Sequence, residues 1–278
     1  MTRLLVITIA LAGVIAAVAQ PADARVTRAF LRHHATSVHL RSLIVAGHHV
    51  EVVSWRPGNR YVRALVGYSR HRKTVPGWAH ARSSTSRTVA AINGGTWHWA
   101  TNRPIGTVWA MGRRITRTSK RPAVGFLSRG RVVFGARSAR RRGSTNIVAG
   151  EATLIRHGRI MRRYPWATRA QATCGPRSSG TGCFRSVVVR FKGGRVGLVE
   201  IAFATMREAA GILHAMRVDA AVTFDSGGSA NLWRSVGHGG CADRRARGRC
   251  FGITHAVGLR WERPVPDAIT VLVRRRPR

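Results

Sequence analysis

Three times in this chain an apolar run stops at a short glycine tip and resumes as another apolar run. The tips are Arg129-Gly130-Arg131-Val132, His157-Gly158-Arg159-Ile160 and Gly193-Gly194-Arg195-Val196. Glycine adopts the left-handed backbone that a tight hairpin requires, so each tip predicts two strands running in opposite directions. A fourth turn of the same kind falls at Gly47, inside the stretch 45–53. The tips are too irregularly spaced for a solenoid. Helical signals are few. The clearest is Thr205-Met206-Arg207-Glu208, a capping box leading into Ile212, Leu213 and Met216. The expected fold class is therefore α+β: a mixed, mostly antiparallel sheet system with a few helices, forming a single domain.

That domain does not include the start of the chain. Arg3 precedes an apolar run from Leu4 to Val18, and Ala22-Asp23-Ala24 has the small-x-small form of a cleavage site. Residues 1–24 read as a signal peptide, too short and wrongly flanked for a permanent anchor, leaving 25–278 as the mature domain. An uncleaved anchor is the alternative. The cysteines suit a secreted or cell-envelope location. Eight residues separate Cys174 from Cys183 and eight separate Cys241 from Cys250, so two local disulfides are expected. Four cysteines allow three connectivities. Neither pair has the short spacing of a zinc site, and the sequence assigns no metal or cofactor.

Charge narrows the partners. Lys and Arg number 48 against 10 Asp and Glu, a formal net charge of +38, and lysine occurs only at 73, 120 and 192. A GC-rich coding bias enriches arginine in this way, and so does selection for polyanion contact. The arginines are dispersed, and the densest run, 137–142, reads as a solvated loop. No helix-turn-helix, RRM or zinc-finger pattern is present, so sequence-specific nucleic-acid recognition is not expected; salt-sensitive binding to anionic polymers is.

Against this scarcity of acids, Ala220-Ala221-Val222-Thr223-Phe224-Asp225-Ser226-Gly227-Gly228-Ser229 stands out. A buried strand delivers a carboxylate to its end, where an unpartnered charge is costly. Gly227 and Gly228 then let backbone N–H groups close around an anion. A second strand, Thr88 to Ile92, delivers Asn93 and Gly94 in the same way, and Trp97 and Trp99 follow. Asn93 offers a donor and an acceptor to sugar hydroxyls or phosphate; a plain Asn-Gly turn is the structural alternative. Asp225-Ser226-Gly227-Gly228 also has the form of a serine-protease nucleophile segment, with Ser226 attacking and His80 as base. That arrangement needs a buried mid-chain acid, and no acid between His80 and Ser226 sits in a suitable segment.

The helix, the short strand and Phe224-Asp225-Ser226-Gly227-Gly228-Ser229 together resemble the signature of the phosphodiester glycosidase family. Asn93-Gly94 resembles its second motif, and the resemblance spans about 90–273. It implies hydrolysis of the glycosidic bond in a sugar-1-phosphodiester, with Asp225 catalytic. Asn93, Gly94, Gly227, Gly228 and Ser229 would bind substrate. Arg185 matches a family arginine and would clamp the phosphate. Three positions depart from the family pattern: Ser226 and Glu151 replace glycines and Asp267 replaces an asparagine. Glu151 and Glu200 are further acids of interest. The competing expectation is a non-enzymatic secreted protein that holds wall polymers or other polyanions.

Overall fold

The computed structural model describes residues 27–34, 38–80, 86–168, 171–172, 183–226, 229–234 and 263–274. The leader 1–24, three of the four cysteines (Cys174, Cys241 and Cys250), Gly227 and Gly228 lie outside these residues, and so does the pairing expected of the cysteines.

The hairpins form where the glycine tips require them. Ala123–Phe126 pairs with Val132–Phe134, Ala152–Arg156 with Arg159–Ile160, and Arg185–Phe191 with Val196–Ile201. Val38–Val45 and His48–Trp55 turn at Ala46 and Gly47, both at positive φ. The largest sheet has eight strands in the order Thr27–His34, Val38–Val45, His48–Trp55, Val196–Ile201, Arg185–Phe191, Val218–Ser226, Ala152–Arg156 and Arg159–Ile160. A five-stranded sheet is built around Ala123–Phe126 and Asn146–Ala149. A four-stranded sheet places Leu232–Arg234, Ser86–Asn93, Val265–Arg274 and Val62–Lys73 in that order.

Every strand pairing among the described residues is antiparallel, so the expected mixed character is absent there. The reason lies in the one long helical connection. Helix Met206–Ala215 joins Val196–Ile201 to Val218–Ser226, which run the same way, but Arg185–Phe191 is inserted between them. The helix starts with the capping box: Thr205 Oγ1 accepts from Glu208 N at 3.2 Å and Thr205 N donates to Glu208 Oε2 at 2.7 Å.

The eight-stranded sheet is covered on both faces. One face meets the smaller sheets through Trp55, Phe126, Val188, Val222, Phe224 and Ile269. The other receives the helix, with Met206, Ala209 and Leu213 set against Leu154, Val187, Val199 and Ala221. Val187 and Val188 thus point into different cores, which is why these strands read as unbroken apolar runs rather than as an alternation. The arginine run 137–142 is a correction: Ala136–Arg141 is a short helix. Ala136 and Ala139, three positions apart, are buried, and Arg137, Arg140 and Arg141 stay in solvent. Among the described residues no helix is long and apolar enough to cross a membrane.

Candidate active site

The site forms where the ends of four segments converge, and two glycines make that convergence possible. A side chain at Gly95 would place its Cβ 2.2 Å from the carbonyl oxygen of Ala149, and one at Gly94 would sit 2.5 Å from the Asp267 carboxyl carbon. With both positions bare, Gly94 N donates to Asp267 O at 2.9 Å and Asp225 N donates to Gly94 O at 3.2 Å. The strands ending at Asn93 and Asp225, the turn at Gly150-Glu151 and the start of Val265–Arg274 therefore meet at one place.

Asn93 is the pin. It is fully buried, and its Nδ2 donates to the backbone carbonyl of Asp225 at 2.9 Å and to that of Gly94 at 3.2 Å. Its Oδ1 accepts from the Ser186 hydroxyl and from Asn231 N at 3.2 Å. An amide offers two donors and two acceptor lone pairs, so all four are engaged inside the protein.

Around this pin stand three carboxyl groups. Asp225 is half-buried, and its Oδ1 accepts from Ser226 N at 3.0 Å. Burial raises its pKa; the Ser229 hydroxyl beside it, the Ser226 N–H, Arg263 and Glu151 all favour the charged form. Glu151 is fully buried at the turn facing Asp225, with Thr96 Oγ1 donating to its Oε1 at 3.2 Å and Gln171 Nε2 at 2.7 Å. Burial, together with the negative charge of Asp225, pushes Glu151 up to about 8 against the pull of Arg185 and Thr96. The two carboxyls titrate as a coupled pair, in which charge on Asp225 favours the proton on Glu151. Asp267 is the third. It is completely buried, neither carboxyl oxygen has a full hydrogen-bond partner, and burial plus Asp225 push it up to about 8, although the N–H groups of Gly95 and Asp267 oppose this.

Arg185 lies at the floor, fully buried, with Nε donating to Ala204 O at 2.7 Å. Burial lowers its pKa to about 10 while Glu151, Glu208 and Tyr164 hold it charged. At the rim, Trp99 is 60% exposed and tilts against Trp97 at 4.5 Å, whereas Trp97 is buried. Arg72 lies 5.5 Å and Arg263 5.0 Å from the Trp99 ring, so Arg263 links the exposed indole to the field of Asp225.

Several buried polar atoms gathered here lack a well-formed hydrogen bond among the described residues: Glu151 Oε2, both Asp267 oxygens, Ser229 Oγ, and the side-chain oxygen and nitrogen of Asn231. Buried polar atoms are seldom left so, and a cluster of them marks a place where a polar ligand completes the bonding.

Of the residues picked out from the sequence, Asp225, Asn93, Gly94, Arg185 and Ser229 are brought together here. Glu200 is buried as well, and its Oε2 accepts from Leu232 N at 3.2 Å. His80, the base required by a protease reading, instead sets its ring edge-on to Trp233 at 5.6 Å. Asn231, Gln171, Thr96 and Ser186 were not singled out by sequence. Asn231 follows Ser229 by two positions; for the others no local pattern distinguishes them from ordinary polar residues.

Known proteins share this arrangement of strands. A Synechocystis protein described as hypothetical superposes with a TM-score of 0.65 at 14% identity, covering 85% of this chain; the chain spans 62% of the length of that one. The zebrafish N-acetylglucosamine-1-phosphodiester alpha-N-acetylglucosaminidase catalytic domain, auto-inhibited by its pro-peptide, superposes with a TM-score of 0.59 at 15% identity, covering 91% of this chain and 88% of its own. No curated protein sequence matches. The model of the phosphodiester glycosidase family matches residues 86–272, about two thirds of the sequence. The chain belongs to the phosphodiester glycosidase family.

Proposed function

We propose that this protein is an exported hydrolase that cleaves the glycosidic bond of a sugar-1-phosphodiester in the cell envelope or in exopolysaccharide. The observation that carries the reading is the Glu151–Asp225 pair, a fully buried and a half-buried carboxyl facing each other beside the buried Arg185. The zebrafish domain supports the substrate class through its name and its fold.

The chemistry follows from the state of each group. Cleavage develops positive charge on the sugar ring as the phosphate departs. Asp225, ionised, stabilises that charge and takes the proton of the attacking water. Phosphate is a good leaving group, so full protonation by an acid is not required. Glu151, neutral, donates a hydrogen bond without adding a second negative charge beside the incoming anion. Arg185 below and Arg263 at the rim supply positive charge for the phosphate, and Trp99 supplies a stacking face. Asn231 presents a free donor and acceptor to the sugar hydroxyls, and the Ser229 hydroxyl stands between them and Asp225. Asn93 positions Asp225 and does not touch substrate, because its own hydrogen bonds are complete.

The test is turnover of the methyl diester of N-acetylglucosamine-1-phosphate by the pure mature protein, followed by release of free sugar and methyl phosphate. Binding of anionic polymer without any turnover of sugar-1-phosphodiesters would instead establish a non-enzymatic binding protein.

A further inference from the structure

Beyond the carboxyl site the surface carries a second concave feature. Two cavities, of about 470 and 680 Å³, share Pro122, Gly135, Ser138 and Thr153 as walls, so they form one continuous groove. Each alone lies in the range that accommodates a drug-sized ligand, and joined they accommodate several sugar-sized units.

The groove is connected to the carboxyl site through its walls. Gly150 N donates to Pro122 O at 2.8 Å, which fixes the turn carrying Glu151 to the groove wall. Thr153 lies two residues beyond Glu151 on the same segment. On the other side, the loop bearing Arg163 and Trp166 leads to Gln171, whose amide holds Glu151.

The lining has a distinctive chemistry. Lys120, Arg121, Arg137, Arg142, Arg156 and Arg163 line its length, and among the described residues none of them has a carboxylate within ion-pair distance. No acidic side chain lines it. A compact anion needs cations that converge on one point, whereas cations strung along a groove match a ligand whose negative charge repeats. Of the large aromatic side chains in its lining only Trp166 is exposed, at 39%, on the 680 Å³ portion; Phe134, on the 470 Å³ portion beside His157, is partly buried with Arg190 over its ring. Grooves for single-stranded nucleic acid stack successive bases on several rings. Here the space between the cations is occupied by the hydroxyls of Thr118, Ser119, Ser138 and Thr153, which suit sugar hydroxyls.

We propose that this groove binds a glycan polymer with phosphate in its repeat, so that the substrate is a chain and not an isolated sugar phosphodiester. Which bond of that chain is cut rests on the glycosidase reading above; the binding itself does not.

The probe is a fluorescent hexamer of sugar-1-phosphate repeats, with a dT7 oligonucleotide, which also carries six phosphodiesters, as comparator. Affinities are measured by anisotropy over a range of salt for the mature protein and for two triple variants. One variant, Arg137→Glu with Arg156→Glu and Arg163→Glu, reverses the groove. The other, Arg41→Glu with Arg113→Glu and Arg114→Glu, makes the same charge change at exposed arginines outside it. The groove variant is expected to bind the hexamer at least tenfold more weakly, with a shallower salt dependence, while the control stays within about twofold of the parent. Hydrolysis of the methyl monomer diester should be equal in all three. Equal loss in both variants would reduce the effect to net charge and overturn the proposal, as would unchanged hexamer affinity in the groove variant. Tighter groove-dependent binding of dT7 than of the hexamer would make it a nucleic-acid groove. If the groove-dependent hexamer binding holds but no protein cleaves the monomer, the groove stands and the glycosidase reading fails.

Discussion

Asn93 and Asp225, 132 residues apart, are joined by a 2.9 Å hydrogen bond from the Asn93 amide to the Asp225 backbone carbonyl. The backbone that carries the Asp225 carboxyl is thereby held by an amide whose own hydrogen bonds are all made within the protein. Asn93→Ala would leave Ser186, Asn231 N and the Asp225 carbonyl without their buried partner. A loss of about 1–3 kcal/mol for such an orphaned group is expected in denaturant unfolding. Asn93→Asp keeps the shape but replaces donors by acceptors opposite a carbonyl, and it should lower kcat more than it raises KM.

Asp225→Asn removes charge with little change of size. Activity on a sugar-1-phosphodiester should fall by about two orders of magnitude or more, with the fold and ligand affinity retained. Ser226→Gly restores the family residue and should be tolerated, whereas a serine protease would lose its nucleophile. Steady-state kinetics on both variants separates the two readings of one motif.

The proton on Glu151 sets the alkaline limit. Glu151 is pushed up to about 8, so it is neutral below that pH and charged above it. The kcat/KM should therefore fall by about tenfold per pH unit on the alkaline side of that value. In Glu151→Gln the side chain stays neutral at every pH, so the alkaline decline should vanish even if the plateau is lower. A decline that persists unchanged would assign it to another group.

Asp267 predicts a stability effect of definite sign. Its folded pKa, about 8, lies above its ordinary value of 3.8, so the folded state binds the proton more tightly than the unfolded state. That contribution is fully present below the unfolded value and is lost as pH rises through about 8. Asp267→Asn, the family residue, keeps the shape and removes the ionisation. The melting temperature of the variant should exceed that of the parent at pH 9 and approach it near pH 4, with about 2–4 °C for each kcal/mol regained. Equal melting curves at pH 9 would contradict the burial of an ionisable group at this position.

Gly95→Ala tests the convergence of the strands. Its new Cβ would lie 2.2 Å from a backbone carbonyl, which cannot move aside as a flexible side chain can. A destabilisation of about 1–3 kcal/mol is expected, with loss of activity because the Glu151 turn is displaced.

Much of this was legible in the sequence for local reasons. A glycine at a hairpin tip acts on its immediate neighbours, so all four turns could be located. The capping box was equally local, and so were the strands that end at Asn93 and Asp225. What was hidden was long-range. Glu151 and Asp267 read as departures from the family pattern, yet the structure places both beside Asp225, since no spacing along the chain reports that three strand ends meet. The exclusively antiparallel pairing was hidden too: it depends on Arg185–Phe191 entering between two strands that are consecutive across a helix. The arginine-rich segment 137–142 concealed its helix because only Ala136 and Ala139 face inward.

The position of Val265–Arg274 has a consequence for how the protein matures. This strand is hydrogen-bonded on one side to Val62–Lys73 and on the other to Ser86–Asn93, so the sheet carrying Asn93 lacks its middle until the chain has been made through Arg274. Partners so distant in sequence close late, since the entropy of a long loop must be overcome before any contact rewards it. The cluster around Asn93 and Asp225 therefore cannot assemble while the chain is still being synthesised, and it closes only after the last strand has been released.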